Sequence, residues 1–258
     1  MAPCTKVGAV PSFIHIVGFK IIHGVDFSKD KCIMGRMKES PRRGRPPKGA
    51  EQLSREAILN AALAVIDAEG IDAVSMRTVA REIGVDAKSL YNHVDGKDGL
   101  LDAVAEHVLA GIHIPKSTGA LEHDLRAIAR AFRRATLAHP HAAPLVLTRQ
   151  LSSLGALAPV AAVLSVLRHA GYSPKLSVHL LRSLLATLVG TLLREAHAAP
   201  AFGVRDPKGI ARRRKALEGS GLPTLVETAP HLARCDHDEE FDFAMNLVIG
   251  ALPARPQT

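Results

Sequence analysis

"SMRTVAREIGVDAKSLYNHVDGKDGLLDAV", residues 75–104, holds three helix starts in close succession. Ser75 is a good N-cap for SMRTVAREIG, in which Val79 and Ile83 point inward and Gly84 supplies the stop. Asp86 caps a third helix, AKSLYNHV, after only a tight connection, and DGKDGLLDAVAEHVLAGI begins a fourth, longer one. Two short helices across a Gly-containing turn, backed by a longer helix, outline a helix-turn-helix. At about 100° per residue, Leu90 and Val94 fall on one side of the third helix. Lys88, Tyr91 and Asn92 fall on the opposite side, with Ala87 and Ser89 at the flanks. Long hydrogen-bonding side chains therefore stand where base edges would lie in a major groove. Asn pairs with adenine N6/N7 and Lys reaches guanine O6/N7; Tyr91, His93 and Lys97 suit phosphate oxygens, which set register without reading sequence.

Upstream, SREAILNAALAVIDAEG (residues 54–70) repeats Ile58, Leu59, Ala62, Leu63, Val65 and Ile66 at helical spacing, from a Ser54 cap to a Gly70 stop. Downstream, LEHDLRAIARAFRRATLAH is amphipathic until Pro140 and Pro144 break the pattern. Two further helices join at Gly171-Tyr172-Ser173-Pro174, where Ser173 caps and Pro174 opens the next first turn. The second of these is apolar almost all round, from Leu176 to Leu193, and needs cover on more than one face. In a soluble chain that makes it a central helix or one shared with a second subunit. Residues 199–221 are rich in Gly, Pro and Arg and read as a mobile loop with about one helical turn. Two helices close the chain, around 222–233 and 237–252. There is no strand-like alternation and no internal repeat, so the class is all-α.

The chain has 258 residues, enough to bury a sizeable core, and a formal charge of +8 that favours a polyanionic partner. Its three cysteines, Cys4, Cys32 and Cys235, are few and far apart. They build no disulfide framework, which favours a reducing, cytoplasmic compartment. No apolar run in the sequence approaches the roughly 18 residues of a membrane span. His231, Cys235 and His237 are close, but H-x3-C-x-H matches no common zinc pattern, so no metal is expected. The acidic run Asp236 to Glu240 fits the positive end of the last helix. With no nucleophile–base pair, phosphate loop or paired-metal spacing, no catalytic residue and no cofactor are expected, and an enzyme is disfavoured.

From Leu53 to Val104 the sequence resembles the DNA-binding domain of TetR-family transcriptional regulators. The resemblance rests on A-x-E-x-G-V at Ala80–Val85, L-Y-x-H-V at Leu90–Val94, and G-K-x-x-L-L at Gly96–Leu101. LRAIARAFRRATLAHP, the AGYSP joint and TLVETAPHLARCDHDEEFDFAMNLVIGAL are similar to the C-terminal domain of the tetracycline-repressor branch, so the likeness spans about residues 53–252. It implies an α-helical homodimer that binds a palindromic double-stranded DNA operator and carries a ligand pocket in each C-terminal domain. By position, Arg77 and Thr78 would touch phosphate. Ala87, Lys88, Ser89, Tyr91, Asn92 and His93 would make the third-helix contacts, and Lys97 a phosphate contact. The dimer would form through helices around 175–197 and 237–252. Tetracycline repressors hold a magnesium–drug chelate with a histidine whose place here falls near Val146, with His141 out of register; the architecture carries over and that ligand does not.

The expected organisation follows: residues 1–37 a disordered or mis-assigned extension, 38–53 a basic arm, 54–100 a three-helix DNA-binding domain, 101–252 a ligand-binding and dimerisation bundle, and 253–258 a tail. Arg43 and Arg45, in Arg43-Gly44-Arg45-Pro46, resemble the core of AT-hook peptides, whose arginines fit a narrow A·T minor groove; a solvated arm giving general attraction is the other reading. Arg133, Thr136, Arg149, Gln150, Arg182, Thr187 and Thr191 are polar groups within or beside apolar helical surfaces and are candidates to line the pocket. Walls of Leu, Val and Ala suit an apolar or amphipathic effector. The sequence thus points to a repressor released by a small molecule, the alternative being a constitutive or architectural DNA-binding protein with a non-functional pocket.

Overall fold

The computed structural model describes residues 53–149, 153–197 and 203–253. Arg43, Arg45 and Gln150, the N-terminal extension and nearly all of the basic arm lie outside the described residues.

Helix α1 (Arg55–Glu69) starts where Ser54 Oγ accepts the Ala57 N–H at 3.0 Å. It ends at Gly70, whose φ of 86° lets its N–H turn back to the Ile66 carbonyl at 2.8 Å. Helix α2 (Met76–Glu82) opens on a capping box, with Thr78 N–H donating to Ser75 Oγ and Ser75 N–H donating to Thr78 Oγ1. Gly84, at φ 68°, carries the chain into α3 (Ala87–Leu90), and α4 (Gly96–Ala110) follows. Ile58, Ala62 and Ile66 of α1, Val79 of α2, Leu90 of α3, and Leu100 and Val104 of α4 are fully buried together, forming the core of the N-terminal part.

The bundle continues with α5 (Leu121–Leu137), α6 (Ala143–Thr148), α7 (Ala158–His169) and α8 (Pro174–Glu195). It closes with α9 (Pro207–Glu218), α10 (Pro223–Leu232) and α11 (His237–Gly250). Helix α8 packs against α11, α7 and α6, and α5 packs against α7 and α11. Helix α4 touches α1 on one side and α5 and α6 on the other, so a boundary at residue 100 falls inside a helix that serves both parts. The Gly171 turn, at φ 93°, joins α7 to α8, and the buried Tyr172 hydroxyl donates to the Pro253 carbonyl at 2.7 Å.

Three expectations change. The third helix is regular only over four residues. Its last turn tightens to i→i+3 bonds, with Asn92 N–H to Ser89 and His93 N–H to Leu90, before Val94 N–H returns to Leu90. The segment expected to be a loop contains α9. Asp206 caps it by accepting the Gly209 N–H at 2.6 Å, Pro207 fills the first turn, and Arg214 pairs with Glu218 one turn on. The Arg212–Lys215 run therefore lies on a helix, which packs on α10. Finally, α8 is by length and composition apolar enough to cross a membrane, although only 28% of its most apolar window is buried within the chain.

Candidate nucleic-acid interface and effector cavity

Residues 87–94, the candidate reading segment, are held from below and left free above. Asp86 Oδ1 accepts the Lys88 N–H at 2.7 Å and fixes the start of α3, and Ser89 Oγ donates to the Asp86 carbonyl at 2.5 Å. Leu90 is fully buried and Val94 is 6% exposed, so these two side chains clamp the segment to the core. Lys88, Tyr91 and Asn92 are exposed on the opposite side, as the wheel requires, and Tyr91 is 57% exposed. Ala87, Ser89 and His93 are half-buried at the edges, and Arg77 and Lys97 are exposed on α2 and α4. Thr78 is half-buried, and its hydroxyl is committed to the capping box and to the Ala73 and Ser75 carbonyls. The side chains of Arg77, Lys88, Tyr91, Asn92 and Lys97 make no hydrogen bond or ion pair to another described residue. A solvated cluster of uncommitted donors on a rigid base can engage phosphates and base edges without breaking internal bonds.

A cavity of about 500 Å3, mouth included, lies among α5, α7, α8 and α11. Leu125, Ile128 and Phe132 of α5, Val163 of α7, Leu188 of α8 and Met245 of α11 are among its twelve lining residues, all of them apolar. Among the described residues, the polar ones singled out from the sequence are absent from this wall. Arg133 forks onto Glu195 at 2.8 and 2.6 Å, reaches Asp238 at 2.6 Å and lies 5.0 Å over the Phe241 ring. Those carboxylates hold its guanidinium charged, raising its pKa against the cost of burial. Arg149 donates to Asp102 of α4 and to the Asp98 carbonyl at 3.2 Å. Thr136 is fully buried with its hydroxyl unpartnered, and Arg182 is exposed. The Thr187 hydroxyl donates to the Ser183 carbonyl, and Thr191 lines a different cavity of mixed polarity. The sequence reading missed the true lining because Leu125, Ile128, Ala129 and Phe132 follow an ordinary core stripe; their spacing marks one helix face and says nothing of a gap opposite it.

A magnesium chelate does not fit this cavity, since its described lining residues offer no carboxylate, imidazole or hydroxyl ligand. Val146 is buried, and His141 Nδ1 donates to the Asp67 carbonyl of α1 at 3.0 Å. His139 Nδ1 meets Asp67 Oδ2 at 2.7 Å, so both histidines tie the α5–α6 turn to α1.

The sequence profile described as bacterial regulatory proteins, tetR family, matches residues 58–104. The profile described as tetracyclin repressor-like, C-terminal domain, matches residues 115–255, more than half of the chain. The chain belongs to the TetR family. An HTH-type transcriptional regulator of Saccharopolyspora erythraea is 36% identical to this TetR-family chain over 121 residues, 46% of this chain and 51% of that protein, so the match spans about half of that relative's length. The HTH-type transcriptional repressor DrrR1 of Streptomyces coeruleorubidus is 27% identical over 220 residues, covering 81% of this chain and 80% of the relative. The TetR family protein ActR of Streptomyces coelicolor, solved in complex with actinorhodin, superposes with a TM-score of 0.67 at 26% identity, covering 78% of this chain and 96% of ActR. The two sequence relatives are transcriptional regulators of a family whose members are not enzymes, and this TetR-family chain has the family's all-helical fold with an N-terminal helix-turn-helix.

Proposed function

We propose that this TetR-family regulator is a repressor that binds a palindromic operator as a homodimer and leaves it when an apolar or amphipathic small molecule fills the α5/α7/α8/α11 cavity. The observation that carries this reading is the pairing of a wholly apolar cavity in the C-terminal bundle with a free cationic reading face on the same chain. DrrR1 bears the name of a repressor and ActR has been solved with a ligand, which supports both halves. The dimer is supported by the uncovered faces of α8 and α11, where Leu185, Phe243 and Leu247 stand 39%, 68% and 64% exposed. A second subunit laid on them would remove from water the apolar surface that α8 cannot hide within one chain. Two reading segments would then face successive major grooves, with operator symmetry following the two-fold axis. The setting is the cytoplasm, where operator DNA is found.

The route from cavity to DNA runs through packed elements. Helix α5 lines the cavity, its end is tied to α1 through Asp67, and Arg149 ties the end of α6 to α4, immediately after the reading segment. A ligand shifts this assembly only by the difference between its affinities for the DNA-bound and free arrangements. The test is an operator gel-shift titrated with apolar candidates: repression by ligand release requires that at least one lowers operator affinity in a saturable manner. Broad, sequence-independent footprints unaffected by every ligand would instead identify an architectural DNA-binding protein.

A further inference from the structure

A second cavity, of about 900 Å3 with its open mouth included, lies between the end of α8, α10 and the start of α11. Leu232 and Phe241 give it an apolar side, and Thr191, Arg194, His237 and Glu240 give it a polar one. His237 is 7% exposed, and its Nδ1 lies 3.6 Å from Cys235 Sγ. Its Nε2 has no partner among the described residues. Burial, reinforced by the Arg205 charge, lowers its pKa and favours the neutral ring. Arg234 is engaged with Glu239 at 2.9 Å. Arg194 and Glu240 share the cavity without an ion pair between them, and neither is paired to another described residue.

The wall here is built to close tolerance. Val204 N–H donates to the Ala233 carbonyl and Cys235 N–H to the Val204 carbonyl, both at 3.1 Å, pinning residues 203–205 against the α10–α11 turn. Gly203 sits at φ 109°, and a Cβ there would come within 2.6 Å of the Arg234 carbonyl oxygen, so only glycine admits the approach. His197 is the described non-glycine residue with positive φ, at 59°, and its ring stands edge-on to His237 at 6.3 Å.

We infer that this cavity is a second ligand site, separate from the apolar one, for a small aromatic carboxylate carrying a hydroxyl group. The guanidinium of Arg194 takes the carboxylate, His237 Nε2–H adds a donor, Phe241 and Leu232 cover the ring, and Glu240 accepts the hydroxyl. Arg194, unpaired in the wall, supplies the positive charge that a singly charged acid meets. The nearby Glu240 disfavours a doubly charged phosphate.

Calorimetric titration of the full chain with 3-hydroxybenzoate tests this, with inorganic phosphate and benzyl alcohol as controls. Saturable binding of one 3-hydroxybenzoate per chain is expected, weakened roughly tenfold or more by Arg194→Gln. The same binding should persist in Val163→Phe, which fills only the apolar cavity. Glu240→Gln, a surface change that leaves the core intact, should erase the preference for 3-hydroxybenzoate over benzoate. No saturable binding, equal binding of phosphate or benzyl alcohol, indifference to both substitutions, or loss in Val163→Phe would each overturn the inference. Since the readout is binding and not DNA release, a negative result leaves the operator-release reading untouched.

Discussion

Asn92 and Lys88 carry the sharpest consequences at the scale of single residues, because both are exposed, uncommitted and held over a rigid pair, Leu90 and Val94. Replacing either with alanine should cost about 1–3 kcal/mol on the preferred operator and relax sequence preference, as read by anisotropy titrations against a panel of single-base variants. An equal loss on every sequence would assign that residue to phosphate. Lys97→Ala should instead lower affinity uniformly and reduce the salt slope by about 0.9. Asp124 gives a different kind of test. Ser117 Oγ donates to its carboxylate at 2.6 Å, Thr118 through its N–H and hydroxyl at 3.0 and 2.7 Å, and Gly119 N–H at 3.1 Å. These donors hold its pKa well below the ordinary carboxylate value. A depressed carboxylate pKa contributes stability that is complete above about pH 4 and is lost as pH falls toward the folded-state value. Asp124→Asn should therefore lower Tm at neutral pH and flatten its decline between about pH 4 and pH 2.

The elements explain how so short a helical segment is held in place. Four residues of regular helix cannot stand alone. The segment is fixed by the Asp86 cap at one end, by packing on α2, and by Leu90 and Val94, which are buried in the common core. Leu90→Ala should cost about 2–5 kcal/mol of stability and weaken DNA binding on all sequences together, because the whole reading surface loosens. Thermal melts and operator titrations on the same preparation would show both losses; full operator affinity in a destabilised variant would contradict the clamp. Helix α9 makes the complementary point. Asp206-Pro207 is a good helix start, yet the glycines and the arginine run around it suggested a loop. Local composition was outweighed by the cap and by packing against α10.

At the scale of the whole molecule the uncovered faces of α8 and α11 matter most. If a second copy covers them, Phe243→Glu together with Leu247→Glu should convert the protein to monomers in sedimentation velocity. Operator affinity should fall with it, since each monomer then holds a single half-site. A doubly substituted protein that stays dimeric would place the interface elsewhere. The two cavities lie along the same α8–α11 seam: Leu184, Leu188 and Met245 line one, and Thr191, His237 and Phe241 line the other. The Arg133–Glu195–Asp238 cluster stands on α5, α8 and α11, with Arg133 over Phe241. Arg133 and Arg149, which looked like pocket walls in the sequence, thus serve as ties between helices.

The helical class, the caps at Ser54, Ser75, Asp86 and Ser173, the stops at Gly70 and Gly171, and the buried side of residues 87–94 are all legible in the amino-acid order. These follow from local hydrogen bonding and a 3.6-residue period, both written in neighbouring residues. It takes the packed fold to show that Leu125, Ile128 and Phe132 border a cavity, that Arg133 and Arg149 are bound in ion pairs, and that Gly203 permits a close backbone approach. Each of these depends on what lies opposite a helix face or turn, supplied by residues far away in the chain. A periodic pattern specifies that a surface must be covered; the partner that covers it, or the gap left there, is set by how the helices pack.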